Sequence, residues 1–129
     1  MAQIKIYGNK HFLSATKPMI STAIHDAVMT ALAYPPEKKF HRFFALEEDC
    51  FIYPSDRSER YVIIEIAMFE GRSVEAKKEL IRCLYRNLEA AVGIAPQDIE
   101  ITITETPRCN WGIRGLPGDE LALNYKVSV

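Results

Sequence analysis

Arg72 stands just before an amphipathic stretch, in the turn Gly71-Arg72-Ser73. There its guanidinium and the free N–H groups of a helix N-terminus could together hold a carboxylate. The same residue in a bland role would be a solvated arginine paired with Glu70 or Glu75. Trp111, between Asn110 and Gly112, could wall a pocket and donate its indole N–H, or pack at a subunit contact. Arg114 lies in a loop between glycines 112 and 115 and is a second candidate anion binder. His11, His25 and His41 share no ligand spacing, so no metal site is expected and each reads as a hydrogen-bonded structural histidine. Tyr53, Tyr61 and Tyr125 could offer a phenol to a pocket, although packing is the simpler role for all three.

Elements must exist to carry these groups. Ile4 and Ile6 alternate with Gln3 and Lys5, a strand near the start of the chain. From 14 to 34 the residues Ile20, Ala23, Ile24, Ala27, Val28, Ala31 and Leu32 recur at three and four, which predicts an amphipathic helix. Pro18 is expected in its first turn, and Pro35-Pro36 end it. Residues 40–46 and 50–53 read as short strands, followed by a polar turn over 54–58. Residues 61–68 are almost continuously apolar, as for a central strand. Ser73 is the expected N-cap of a second helix, with the stripe Leu80, Ile81, Leu84, Leu88, Ala91 and Val92 and a stop at Gly93. Ile99, Ile101 and Ile103 alternate with polar residues, a half-buried strand, and the segment 121–129 alternates again.

The halves echo each other. Ile4 and Ile6 match Ile64 and Ile66 at an offset of 60, and Lys17, Ile20 and Pro35 match Lys78, Ile81 and Pro96 at 61. This predicts an α+β fold of two β-α-β repeats, forming one mixed sheet with both helices on one face. The first unit covers about 1–46, the second about 60–105, and a C-terminal strand about 121–129, all within a single domain 1–129.

Composition narrows the class. The chain has 129 residues, 48% of them hydrophobic, which suits one domain with a real core. Sixteen basic and seventeen acidic residues leave a net charge of -1, so nothing favours nucleic acid. Three cysteines with no CxxC spacing argue against a disulfide framework or zinc, and fit a reduced cytoplasmic setting. No apolar stretch nears the roughly 20 residues of a membrane helix, so no membrane partner is expected.

The order and spacing of Val62-Ile63-Ile64-Glu65-Ile66, Gly71-Arg72-Ser73 with Lys77-Lys78, Gly93-Ile94 with Pro96 and Asp98, residues 101–105, and Asn110-Trp111-Gly112 resemble the tautomerase superfamily. That group includes 4-oxalocrotonate tautomerase, macrophage migration inhibitory factor and malonate semialdehyde decarboxylase. The resemblance is carried chiefly by the second half. It implies a homotrimer of β-α-β repeat chains with the site near a subunit boundary, no cofactor, and Arg72 as the arginine for a substrate carboxylate. It also implies an N-terminal proline as proton carrier, and here position 2 is Ala2. An initiator Met before a small residue is normally removed, which leaves the Ala2 amine, with a reference pKa near ~7.7, as a base or an imine-forming group. Glu37, after the first helix, falls roughly where some members put a water-activating acid, or is one charge of a solvated cluster with Lys38 and Lys39. Glu70 and Ser73 occupy the places where decarboxylating or dehalogenating members tend to carry a second arginine.

The expected function is keto–enol proton transfer on a small carboxylate-bearing substrate, with Ala2, Arg72 and Glu37 as catalytic candidates and Arg72, Trp111 and Arg114 as binding candidates. The alternative is a noncatalytic homotrimer of the same fold that binds a small anion or a protein partner. A ferredoxin-like β-α-β-β-α-β binding domain fits the order of elements almost as well.

Overall fold

The computed structural model describes residues 2–129. Strand β1 (Ala2–Asn9) runs straight into helix α1 (Lys10–Leu32), and strand β2 (His41–Leu46) follows. Strand β3 (Val62–Phe69), helix α2 (Val74–Val92) and strand β4 (Ile99–Thr106) repeat the pattern. A two-stranded ribbon, β5 (Gly112–Ile113) with β6 (Leu116–Pro117), follows β4.

The sheet order is β2-β1-β3-β4. The outer pairs β1/β2 and β3/β4 are parallel, each bridged by its helix, and the central pair is antiparallel. In that central pair Ile4 faces Ile66 and Ile6 faces Ile64. The residues that echo at an offset of 60 are thus exchanged across an approximate two-fold axis between the strands. Ile4, Ile6, Ile64 and Ile66 point at α1 and α2, which pack on each other over the sheet. Each such buried side chain contributes about 1.5–3 kcal/mol.

Helix α2 starts where its cap demands: the Ser73 hydroxyl accepts from the Ala76 N–H at 3.1 Å, and Gly93 ends the helix at φ +74°. Helix α1 departs from expectation. It begins at Lys10, four residues before 14, so Pro18 lies inside it, on the exposed side. The early start follows from Gly8, where a Cβ would lie 2.9 Å from the Leu13 side chain, so the first turn folds directly onto the strand end. The Asn9 amide is drawn away from capping to Tyr53 Oη (3.0 Å) and the Glu59 carbonyl (2.9 Å).

Two expected strands do not form. Of residues 50–53, Cys50 ends a 3-10 turn (Glu48–Cys50) and 51–53 run irregularly, because Phe51 and Tyr53 cluster with Tyr61 at centroid distances of 5.1–5.4 Å. The segment 121–129 finds no strand partner among the described residues and lies as an irregular strap. Its Val129 carbonyl accepts from the Ser73 N–H at 2.8 Å, and Val127 packs on Gly71.

Candidate active site

Sheet register decides which ends meet. Ala2, the first residue of β1, sits opposite Met68 near the end of β3, and Ile4 N–H donates to the Phe40 carbonyl just before β2. One edge therefore gathers the start of β1, the link 33–40 after α1, the turn 70–73, the loop 107–120 after β4, and the strap.

Ala2 is buried, and its main-chain N–H donates to Tyr34 Oη at 2.9 Å. Tyr34 is itself buried, edge-on to Tyr125 with ring centroids 4.8 Å apart. Burial, then hydrogen bonding to Tyr125, drives the Tyr34 phenol pKa well above its usual value. The Arg72 guanidinium is near enough for its charge to oppose that rise. Tyr34 thus stays protonated at neutral pH and can donate as well as accept.

Arg72 is only 5% exposed, which is rare for an arginine without an ion pair. One Nη donates to the Phe69 carbonyl at 3.3 Å, while Nε and the other Nη are buried with no partner among the described residues. Gly71 makes the approach possible by holding φ at +128°. Trp111 stands edge-on to Phe69, centroids 5.3 Å apart, and its indole N–H is also buried without a partner among the described residues. Buried donors are almost always satisfied. Three orphaned donors on residues that share Phe69 mark a place shaped for an acceptor.

Arg114, at φ +51°, lines a narrow cleft with Tyr34, Lys38, Phe69, Leu123 and Tyr125. Ala2, Arg72, Trp111 and Arg114 therefore lie at one edge of the sheet. Glu37 lies at the rim, exposed, its carboxylate accepting from Asn124 Nδ2 at 3.2 Å. Tyr53 and Tyr61 belong to the opposite end, beside the Tyr61–Glu100 hydrogen bond. A wide cleft, about 960 Å³, is also at that end, between Asn9, Lys10, Tyr53 and Arg60. Its charges are mixed, Lys10 is paired with Glu47, and none of its lining groups is a buried donor left without a partner.

Tyr34 and Lys38 escaped sequence reasoning. A signal existed: if α1 bridges two parallel strands, the link before β2 must return to the start of β1, which puts Tyr34 beside Ala2. The histidines hold this link in place. His25 Nε2 lies 2.8 Å from the Pro36 carbonyl, and His41 Nδ1 lies 2.7 Å from the Ser21 hydroxyl. Among the described residues no group of three or more histidine, cysteine or acidic side chains comes together as a metal site, and no helix is long and apolar enough to cross a membrane.

Comparison with known proteins joins this geometry to a lineage. A family model described as a tautomerase enzyme matches residues 38–114. The chain belongs to the tautomerase family. It is 42% identical over 57 residues to a 2-hydroxymuconate tautomerase of Comamonas testosteroni, covering 44% of this chain and 90% of that one. A 2-hydroxymuconate tautomerase of Pseudomonas putida is 37% identical over the same length and shares. Nearly all of each relative thus maps onto less than half of this chain, as expected for a chain with two β-α-β units. Among solved structures, FG41 malonate semialdehyde decarboxylase is 28% identical, with a TM-score of 0.76 over 85% of this chain and 87% of that one. A native fused 4-OT shares the fold at a TM-score of 0.80, 19% identical over 92% and 98% of the two chains. A further fused 4-OT, described as an asymmetric trimer, superposes at 0.79, 17% identical over 91% and 96%.

Proposed function

We propose that this tautomerase interconverts the enol and keto forms of a small 2-oxo acid, with the Ala2 amine carrying the proton. The observation that carries the reading is the pair of buried, unpartnered N–H groups of Arg72 at the edge where the Ala2 nitrogen meets Tyr34. Removal of Met1 frees that nitrogen as an amine, and its burial favours the neutral, basic form. Arg72 Nε and Nη then hold the substrate carboxylate as a fork, and the Trp111 N–H adds a further donor to that carboxylate. The amine takes the enol hydroxyl proton, leaving an enolate and an ammonium. The ammonium returns the proton to carbon, which regenerates the amine and releases the ketone. Tyr34 orients the amine throughout. Lys38 and Arg114 at the mouth favour an anionic substrate, and 2-hydroxymuconate, named in the relatives, is the first compound to try.

The assembly we propose is a homotrimer of single-domain chains. Its support is the trimer described for a fused 4-OT of the same fold, together with apolar surface at Phe40, Phe44 and Ile52, the last 91% exposed. Three unpaired cysteines suit a reduced, cytoplasmic setting.

The test is ketonisation of 2-hydroxymuconate and of a simple enol-pyruvate, followed by absorbance, with intact mass to establish that Ala2 is the N-terminus. Turnover that disappears in Arg72→Ala supports the proposal. Carboxylate binding with no turnover in a properly processed, trimeric protein would overturn it in favour of a noncatalytic anion binder.

A further inference from the structure

Arg108 is engaged in a way the proposed chemistry does not require. It follows β4, in a 3-10 turn (Arg108–Asn110). Its Nε donates to the Gly118 carbonyl at 3.1 Å, and one Nη donates to Gly118 at 2.9 Å and to Leu121 at 3.1 Å. Its guanidinium lies over the Phe69 ring, 5.4 Å from the centroid. Phe69 is fully buried, and its carbonyl steadies Arg72 while its ring meets Trp111. The other side of the loop is equally fixed. Gly118 N–H donates to the Trp111 carbonyl at 2.7 Å, and a Cβ at Gly118 would lie 2.5 Å from the Arg108 carbonyl oxygen and 3.0 Å from Trp111 Cβ.

We propose that Arg108 is the positioning residue of the site: it closes the loop 108–121 on itself and onto Phe69, so that Trp111 and Arg114 face the substrate place beside Arg72. The inference rests on the function proposed above only for its kinetic consequence. A planar guanidinium suits the task, since it can chelate two carbonyls in one plane while stacking on a ring, which an ammonium cannot do. The nitrogen that would carry the proton, on Ala2, and its partner Tyr34 stand on other elements. Losing Arg108 therefore loosens substrate binding and leaves the proton step largely intact.

Trp111 is the single tryptophan of the chain, so its fluorescence reports this loop directly. In Arg108→Ala, acrylamide quenching of Trp111 is expected to rise about twofold or more, as for a loop that opens locally. KM for the carboxylate substrate rises roughly tenfold to a hundredfold with kcat within about threefold. Gly118→Ala, which forces the loop apart from its other side, gives the same pattern, and Arg108→Lys falls between it and wild type. Lysine also serves if the alanine variant does not fold, which thermal melting reveals. Quenching and KM at wild-type values in the folded variants would overturn the proposal, as would a loss of kcat at unchanged KM. If the wild type turns nothing over, the function proposed above fails, and the role of Arg108 is then decided by quenching and by pyruvate affinity read from Trp111 emission.

Discussion

The Ala2 nitrogen and the Tyr34 hydroxyl lie 2.9 Å apart across 32 residues of sequence, both buried. β1 supplies one and the link after α1 the other, and parallel pairing of β1 with β2 obliges that link to return to the start of β1. The contact gives the nitrogen a polar partner without giving it a charge. A carboxylate in that place would hold an amine protonated, and a phenol whose pKa is raised by burial and by Tyr125 does not.

Replacing Tyr34 by Phe should therefore lower kcat by about tenfold to a hundredfold with little change in KM, because orientation of the proton carrier is lost and the carboxylate contacts are kept. The ring packing on Tyr125 is retained, but the buried Ala2 N–H loses its acceptor, so stability should fall by about 1–3 kcal/mol. A KM increase with unchanged kcat would show that Tyr34 touches substrate and does not orient the amine.

Arg72 makes the opposite prediction about stability. Its two orphaned N–H groups are a cost to the empty protein, so Arg72→Met should be neutral or stabilising by about 1 kcal/mol. kcat/KM on a carboxylate substrate should meanwhile fall by a hundredfold to a thousandfold, as when a buried charge loses its partner. Thermal melting and steady-state kinetics on the same preparation check both halves. A variant that loses stability and activity together would make Arg72 a structural residue.

Much of this was legible beforehand, for reasons that differ from residue to residue. The repeat could be read because alternation at Ile4, Ile6, Ile64 and Ile66 has a period of two and the helices a period of three to four. Ser73 and Gly93 could be read because caps are local chemistry. The start of α1 could not, since it depends on Leu13 packing against Gly8. Arg72 stood out because it precedes a cap, while Tyr34 and Arg108 gain meaning only from partners 32 residues away and at 118 and 121. The strap 121–129 has the alternation of a strand with no strand to pair with among the described residues.

The identity of residue 2 yields a sharp test. An uncleaved N-terminal extension converts the Ala2 amine into an amide, which has no basic lone pair, and should reduce kcat by at least about a hundredfold. Ala2→Pro, processed to a free secondary amine at the same place, should match or exceed wild type. Intact mass establishes the N-terminus of each protein. Equal activity in the extended and processed forms would remove Ala2 from the mechanism.

His41 links β2 to α1 through Ser21, and burial, then the charges of Lys39 and His25, lower its pKa from 6.5 to about 4. The folded value lies below the unfolded one, so the unfolded chain binds the proton more readily as the pH falls. The contribution to stability is complete above about pH 6.5 and is lost progressively between there and about pH 4, and for a partly buried group it amounts to roughly 1–3 kcal/mol. Urea unfolding at several pH values between 4 and 7 should show a steeper fall for wild type than for His41→Gln. Parallel curves for the two proteins would mean that the acid sensitivity arises elsewhere.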